Sequence, residues 1–410
     1  MTVSQMSAGV LPAERSREMR TASTETHWAQ IGDRTVVWSA PDQLPADAAE
    51  RTSVAGLALV TQVGRAFQDE HPNVRVVLDH GRHLVVDTGT LPERLAVEPV
   101  AEVCWRVEAL PADTVVVDRP ALRSGRADPL TVDLLGQLFP SAFDNDLKEL
   151  VGFGTRHSLS GGFGEAAEWA ADRLMSLGYT VAEESVTVGS GRSRNVIADL
   201  AGVGSQTDDL VLVTAHLDSV NMVGGPAAAA PGADDNGSGS AGVLELARIL
   251  ASTAWQSHVR FILFGGEEQG LHGSRQHVAA LLPEDRARIR AVLNMDMVAT
   301  RNTPEPAVLL EGAPLSQPLI DDLAVAAATY TGLRVETSLK PFASDHVPFI
   351  DAGVPAVLSI EGADSANGNI HTAADTLDHI DLELMLEILR MNLAALAGWL
   401  RPAEMAPPRS

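Results

Sequence analysis

The residues of this 410-residue chain whose types and spacing could do chemistry together fall in five short clusters. They are His216 and Asp218 in VTAHLDS, Asp234-Asp235-Asn236 in PGADDNG, Glu267-Glu268 in GGEEQG, Asp296 in NMDM and His371 in NIHTAADT. Each alone is ordinary: a carboxylate after an apolar strand often caps the next helix, and a lone histidine is usually a satisfied polar residue. The adjacent acids Glu267 and Glu268 are harder to reduce to that. They follow the uniformly apolar FILFGG, so two like charges meet a low-dielectric wall where repulsion and desolvation raise a pKa. A cation must offset them. Lysine occurs only at Lys148 and Lys340, which makes an ammonium partner a poor candidate and a divalent metal pair a good one. With Cys104 the only cysteine, a thiolate cluster is excluded and any ligands must be His, Asp and Glu.

The donor count suits two ions. Two imidazoles and three carboxylates, one of them bridging, give each ion three protein ligands. A water or hydroxide between the ions would complete near-tetrahedral sites open to substrate. Hydrolysis additionally needs a carboxylate free of metal, to take a proton from that water and hand it to a leaving amine. Ions ~3.5–4 Å apart can also polarise a scissile carbonyl. The chain has no G-x-S-x-G elbow, no phosphate-binding loop and no G-x-G-x-x-G opening a helix.

Elements that position these residues can be read from the same stretch. LVLVTAH (210–216), VRFILFGGEE (259–268), AVLNMDM (291–297), AVLLEG (307–312) and PAVLSIEG (355–362) are apolar runs without in/out alternation. Between and around them lie helical stretches such as GEAAEWAADRLMSLGY (164–179), stopped at Gly178, and NGSGSAGVLELARILAS (236–252). That pattern predicts a mixed, mostly parallel central sheet sandwiched by helices. The polar clusters follow the strand ends, the edge at which open α/β sheets place their sites.

Upstream the text differs. Residues 1–27 read as a flexible lead-in, 28–120 as a small α+β domain, 121–145 as a linker, 146–402 as the catalytic domain and 403–410 as a tail. VRVVLDHGRHLVVD reads as a hairpin turning at His80-Gly81. Within 47–70, Val54, Leu57, Ala58, Val63 and Phe67 recur at helical spacing and predict a helix. His71, His80 and His83 read as surface histidines of the hairpin region, since no acid accompanies them at ligand spacing.

Composition narrows the partners. Hydrophobic residues are 45% and charged residues 20%, a globular balance, with a formal net charge of -24. So negative a surface repels phosphate backbones and anionic lipid heads, which argues against nucleic acid and membrane surfaces. No run approaches the ~20 apolar residues of a membrane span, and no secretory core opens the sequence. The expectation is a cytoplasmic protein.

VTAHLDS, PGADDNGSG, GGEEQGLHGS, NMDM, SDH and IHTAADT resemble, in order and type, the co-catalytic zinc aminopeptidase family. Secreted bacterial leucine aminopeptidases, glutamate carboxypeptidases and glutaminyl cyclases belong to it. The resemblance spans roughly 146–400 and implies the zinc exopeptidase fold. It implies that His216 and Asp296 hold one zinc ion, that Glu268 and His371 hold the other, and that Asp235 bridges them. Cobalt or manganese would suit the same donors. It further implies Glu267 as general base and acid, and a cis Asp235–Asn236 peptide. Asp218 would hydrogen-bond the His216 imidazole, and Ser344 of SDH would support the site or touch substrate. Asp375 reads as a helix cap.

One departure stands out. Positions at which some relatives place an oxyanion-binding tyrosine are Ile370 and Pro341-Phe342-Ala343 here, and the only tyrosines are Tyr179 and Tyr330. Stabilisation would then rest on the metals, with His346 a candidate contact to the oxyanion or substrate. The leading expectation is a metal-dependent exopeptidase that hydrolyses the N-terminal peptide bond of peptides. The alternatives are an amidohydrolase of a blocked or non-peptide amide, and a non-catalytic binding protein on the same fold.

Overall fold

A computed structural model describes residues 6–19, 26–40, 43–97, 100–101, 104–204 and 208–403. They form two units, one of residues 1–121 with 336–343 and 363–368, the other of 122–335, 344–362 and 369–410.

The second unit is built on a sheet whose spatial order is Thr180–Val188, Gly191–Leu200, His258–Phe264, Leu210–His216, Ile289–Met295, Ala356–Glu361 and Ala307–Glu311. The middle four strands are parallel. An antiparallel hairpin flanks them on one side and Ala307–Glu311 pairs antiparallel on the other. Successive side chains of a strand point to opposite faces, and both faces are apolar here, which explains the unbroken hydrophobic runs. Val211, Val213 and Ala215 enter one core with Phe261, Leu263 and Leu293. Leu210 and Leu212 enter another with Ile262, Phe264 and Val292. The helices Gly161–Ser176, Gly239–Leu250 and Leu382–Leu400 contribute their apolar stripes to the first core. Ser160 opens the first of these by accepting from the Phe163 amide at 3.1 Å, and Gly178, at φ +93°, follows its end. No helix among the described residues is long and apolar enough to cross a membrane.

The first unit holds two sheets. One runs Thr114–Asp118, His27–Ile31, Arg34–Ser39, Met6–Pro12, Ala49–Val54, and the other Val76–His80, His83–Asp87, Leu57–Gln62, Trp105–Ala109, Val100–Ala101. The hairpin turns at Gly81, φ +64°, as its sequence predicts.

Four expectations need correction. Residues 1–27 are not a lead-in throughout: Met6–Pro12 is a strand between two others, with Val10 and Leu11 buried, and Glu14–Met19 is a helix. The run AGVL is short, but enough to complete a sheet. Residues 47–70 form the strands Ala49–Val54 and Leu57–Gln62, and only Ala66–Glu70 is helical. Short apolar runs satisfy both periods, and here pairing on both sides of Leu57–Gln62 decides for strand. The 121–145 stretch carries the helix Pro129–Leu135 and the start of Pro140–Gly152. Its prolines open helices, the position where a missing N–H costs nothing. The three histidines are not surface residues as a group: His83 is buried, and His71 packs against Phe67 and Trp105. Most of the expected 403–410 tail lies outside the described residues.

Candidate metal centre

Each expected ligand sits where local structure gives out. His216 is the last residue of Leu210–His216, a strand buried along its whole length, and Asp296 directly follows Ile289–Met295. Glu267 and Glu268 follow His258–Phe264 across two glycines. A Cβ at Gly265 would stand 2.6 Å from the Arg194 carbonyl oxygen and Gly266 has φ +78°, so only glycine allows this turn. Asp235 lies in the irregular turn Ala233–Ser238 leading into Gly239–Leu250, and its bond to Asn236 is cis. Asn236 locks that turn to the neighbouring strand end. Its amide donates to the Met295 carbonyl at 2.9 Å, and its carbonyl accepts from the Gly239 and Met297 amides at 2.9 and 3.3 Å. His371 and Met297 both adopt positive φ, +57° and +50°, backbone states that persist in L-residues only where the surroundings over-determine them.

The side chains converge into two linked groups. His216 Nε2 lies 3.2 Å from Asp296 Oδ1 and 3.3 Å from Asp235 Oδ1. His371 Nε2 lies 3.1 Å from Asp235 Oδ2 and 3.1 Å from Glu268 Oε2. Asp235 thus presents one oxygen to each imidazole. Glu267 brings an oxygen within 4.8 Å of donor atoms of both His216 and Asp296.

Hydrogen bonds from behind hold this geometry. His216 Nδ1 donates to the Asp218 carbonyl at 3.0 Å, which leaves the Nε2 lone pair for a metal. Asp218 meets the imidazole through its main-chain carbonyl, while its carboxylate stands 3.7 Å from Nδ1. It instead accepts from the Glu267 and Glu268 amides, both at 3.3 Å, and from the Ser158 hydroxyl at 2.9 Å. Asp218 therefore fixes the backbone of the two glutamates. Ser344 donates to Asp296 Oδ2 at 2.7 Å and accepts from Asn294 at 2.9 Å, and Asn294 accepts from Thr214 at 2.7 Å. Asp375 is no helix cap. Its two oxygens accept from the Asp234 and Asp235 amides, both at 2.9 Å.

Sequence reasoning missed Arg156. It is fully buried, and its guanidinium donates to the carbonyls of Leu217, Leu150, Pro231 and Gly232 at 2.7–3.0 Å. It thereby ties the loop after His216 to the turn before Asp235. Nothing in the local text TRHSLS marks it, because its partners are backbone atoms distant in sequence. His346 is also buried without exposed surface, on a helix packed against Ala356–Glu361, with Nε2 3.4 Å from Glu311. The expected contact to oxyanion or substrate is therefore not made. Neither tyrosine serves the site: Tyr179 donates to the Ala247 carbonyl, and Tyr330 accepts from the Asp128 amide.

The charges are uneven. Burial pushes Glu268 up to about 7, with Asp235 adding repulsion that the imidazoles of His371 and His216 only partly relieve. Burial also lifts Glu267 well above the usual carboxylate range against the pull of His216, helped by Asp345, Asp296 and Glu268. Burial disfavours the imidazolium of His216, but Asp296 and Glu267 overcome it and raise the ring well above its ordinary value; Glu268 and Asp235 do the same for His371. Asp235 goes the other way, held below its usual range despite burial by the two imidazoles. Acids that recruit protons and imidazoles that keep them describe a centre short of positive charge. Glu268 Oε1 is moreover buried with no hydrogen-bond partner among the described residues, a costly state unless an ion takes it up. The donor set, oxygen with two imidazoles, fits zinc.

Known proteins resemble this chain in sequence and in fold. The sequence pattern of Peptidase family M28 matches residues 195–396. Aminopeptidase YwaD of Bacillus subtilis is 33% identical over 194 residues, 47% of this chain and 41% of that protein, so the chain spans less than half of this relative. A probable leucine aminopeptidase of Trichophyton verrucosum is 31% identical over 264 residues, 60% of this chain and 70% of that protein. The solved structure of a zinc aminopeptidase from Bacillus subtilis shares the fold, with a TM-score of 0.57 at 18% identity over 65% of this chain and 96% of that one. The chain belongs to peptidase family M28.

Proposed function

We propose that the protein is a dinuclear zinc aminopeptidase that releases the N-terminal residue of peptides. The observation that carries this reading is the shared Asp235 carboxylate, one oxygen 3.3 Å from His216 Nε2 and the other 3.1 Å from His371 Nε2. His216 and Asp296 would hold one ion, Glu268 and His371 the other, with Asp235 bridging. When bound, the ions supply Lewis-acid activation of water and of the scissile carbonyl. Glu267 takes a proton from the attacking water on a carboxylate oxygen. As the new C–O bond forms and the C–N bond breaks, it returns that proton to the leaving amine. Burial raises the proton affinity of its carboxylate, which favours taking up that proton. Asp218 keeps Glu267 in place through its amide. Glu267 and Asp296 also offer negative charge for the free α-amine that exopeptidase action requires.

The test is release of free amino acid from aminoacyl-p-nitroanilides by the purified protein. We expect activity that a chelator abolishes and zinc restores; activity surviving complete metal removal would overturn the assignment. A second reading, hydrolysis of a blocked or non-peptide amide, draws on the two tyrosines being engaged away from the site. It expects N-acyl substrates to be cleaved and free-amine peptides to be ignored.

A further inference from the structure

The first unit is not made of the N-terminal residues alone. It includes 336–343, whose next residue is Ser344, and 363–368, which ends three residues before His371. Ser344 orients Asp296, and His371 is a ligand of the proposed centre. Segment 336–343 is fastened at several points. Ser338 and Thr337 pair with Val117 and Asp118, Arg106 stacks over the Phe342 ring at 5.2 Å, and Lys340 meets Glu108 at 3.3 Å. One side chain, however, grips both segments. Arg82, in the turn after Val76–His80, donates through Nη1 to Asp364 Oδ2 at 3.1 Å and through Nη2 to the Phe342 carbonyl at 2.7 Å. Arg82 and Asp364 are 4% and 3% exposed, so the pair is desolvated and holds a defined geometry rather than a fluctuating surface contact. The positive φ of Ala343 and Ala363, +48° and +54°, fixes the chain at the start of each loop beside these anchors.

We propose that Arg82 is a positioning residue for the metal centre: by clamping Asp364 and the Phe342 carbonyl together, it sets the loop leading to His371 against the loop leading to Ser344. This rests on the metal-centre reading above, and it gives the N-terminal residues a role in metal retention. A guanidinium suits the task because its rigid fork spans two acceptors, which an ammonium cannot reproduce.

The test is zinc affinity and stoichiometry of the full chain, measured by competition with a chromogenic chelator, together with the melting temperature of the metal-free protein. The decisive variant is the apolar double substitution Arg82→Met/Asp364→Leu, which removes both buried charges together. We expect it to melt near the parent without metal and to bind zinc about 10–100-fold more weakly, the loss typical when a ligand's supporting shell is removed. Arg82→Lys should recover only part of that affinity. A folded double variant that binds both ions as tightly as the parent would overturn the proposal. A double variant that does not fold passes the decision to Arg82→Lys, whose parent-like affinity at both sites would likewise overturn it. A parent chain that binds no zinc would instead overturn the metal-centre reading itself.

Discussion

Glu267 and Glu268 are neighbours with different fates, and their surroundings separate them. Glu268 faces His371 at 3.1 Å, whereas Glu267 lies within 4.8 Å of both His216 and Asp296 with Asp345 adding repulsion. Glu267→Gln keeps the size and removes the proton-carrying oxygen. It should lower kcat by about 10²–10⁴-fold with zinc content unchanged, measured by steady-state hydrolysis alongside metal analysis; loss of zinc in step with activity would make Glu267 a ligand instead. Asp375 offers a second test. Asp375→Ala strands two buried amides, each worth about 1–3 kcal/mol, and frees the turn that carries Asp235. The variant should melt several degrees lower and bind zinc more weakly, as thermal denaturation with and without zinc will register. Asp375→Asn, which keeps one acceptor, should be milder.

At the scale of elements, the site depends on how strand ends meet turns. Gly239 opens the helix after Asp235, and a Cβ there would stand 2.3 Å from Asn236 Oδ1 and 2.6 Å from the Met295 carbonyl oxygen. Gly239→Ala should therefore part the Asp235 turn from the Asp296 strand and cost about 1–3 kcal/mol, read as a lowered denaturation midpoint. The strands bearing His216, Glu267 and Asp296 were legible because burial on both faces writes itself as unbroken apolar text, ending at the first polar residue. What acts through the main chain was not. Arg156 and Asp375 bind carbonyls and amides, which every residue has, so no partner type betrays them. Asp218 was legible as a neighbour of the His216 imidazole, but which of its oxygens meets the ring was not, since the carboxylate and carbonyl of one residue cannot be told apart in sequence. In the N-terminal part the misread stretch 47–70 shows the complementary difficulty, a short apolar run whose identity as strand is decided by its neighbours.

Over the whole molecule, the balance of -24 reaches the interior. Glu268, Asp345 and Asp375 are each raised by burial to about 7, and burial lifts Glu361 and Glu267 well above the usual carboxylate range. Between about pH 4.5 and 7 the metal-free folded chain keeps protons on these carboxyls that the unfolded chain releases, so stability falls as pH rises through that window. His216 and His371, raised above their ordinary value, act in the same sense, since the stability they lend below about pH 6.5 is lost as pH climbs through their folded values. Depressed Asp235 opposes this, but alone among these groups. The metal-free protein should therefore melt lower at pH 8 than at pH 5.5. Zinc, which binds deprotonated ligands, should raise the melting temperature more at pH 8. Calorimetry across pH with and without zinc checks both; a metal-free profile flat from pH 5.5 to 8 would contradict the charge account.

The most direct measurement is anomalous diffraction at the zinc edge from crystals of the zinc-loaded chain. Two peaks ~3.5–4 Å apart, one against His216 and Asp296 and the other against Glu268 and His371 with Asp235 between them, are the predicted result. A single peak, or none among these residues in a fully loaded crystal, would contradict it.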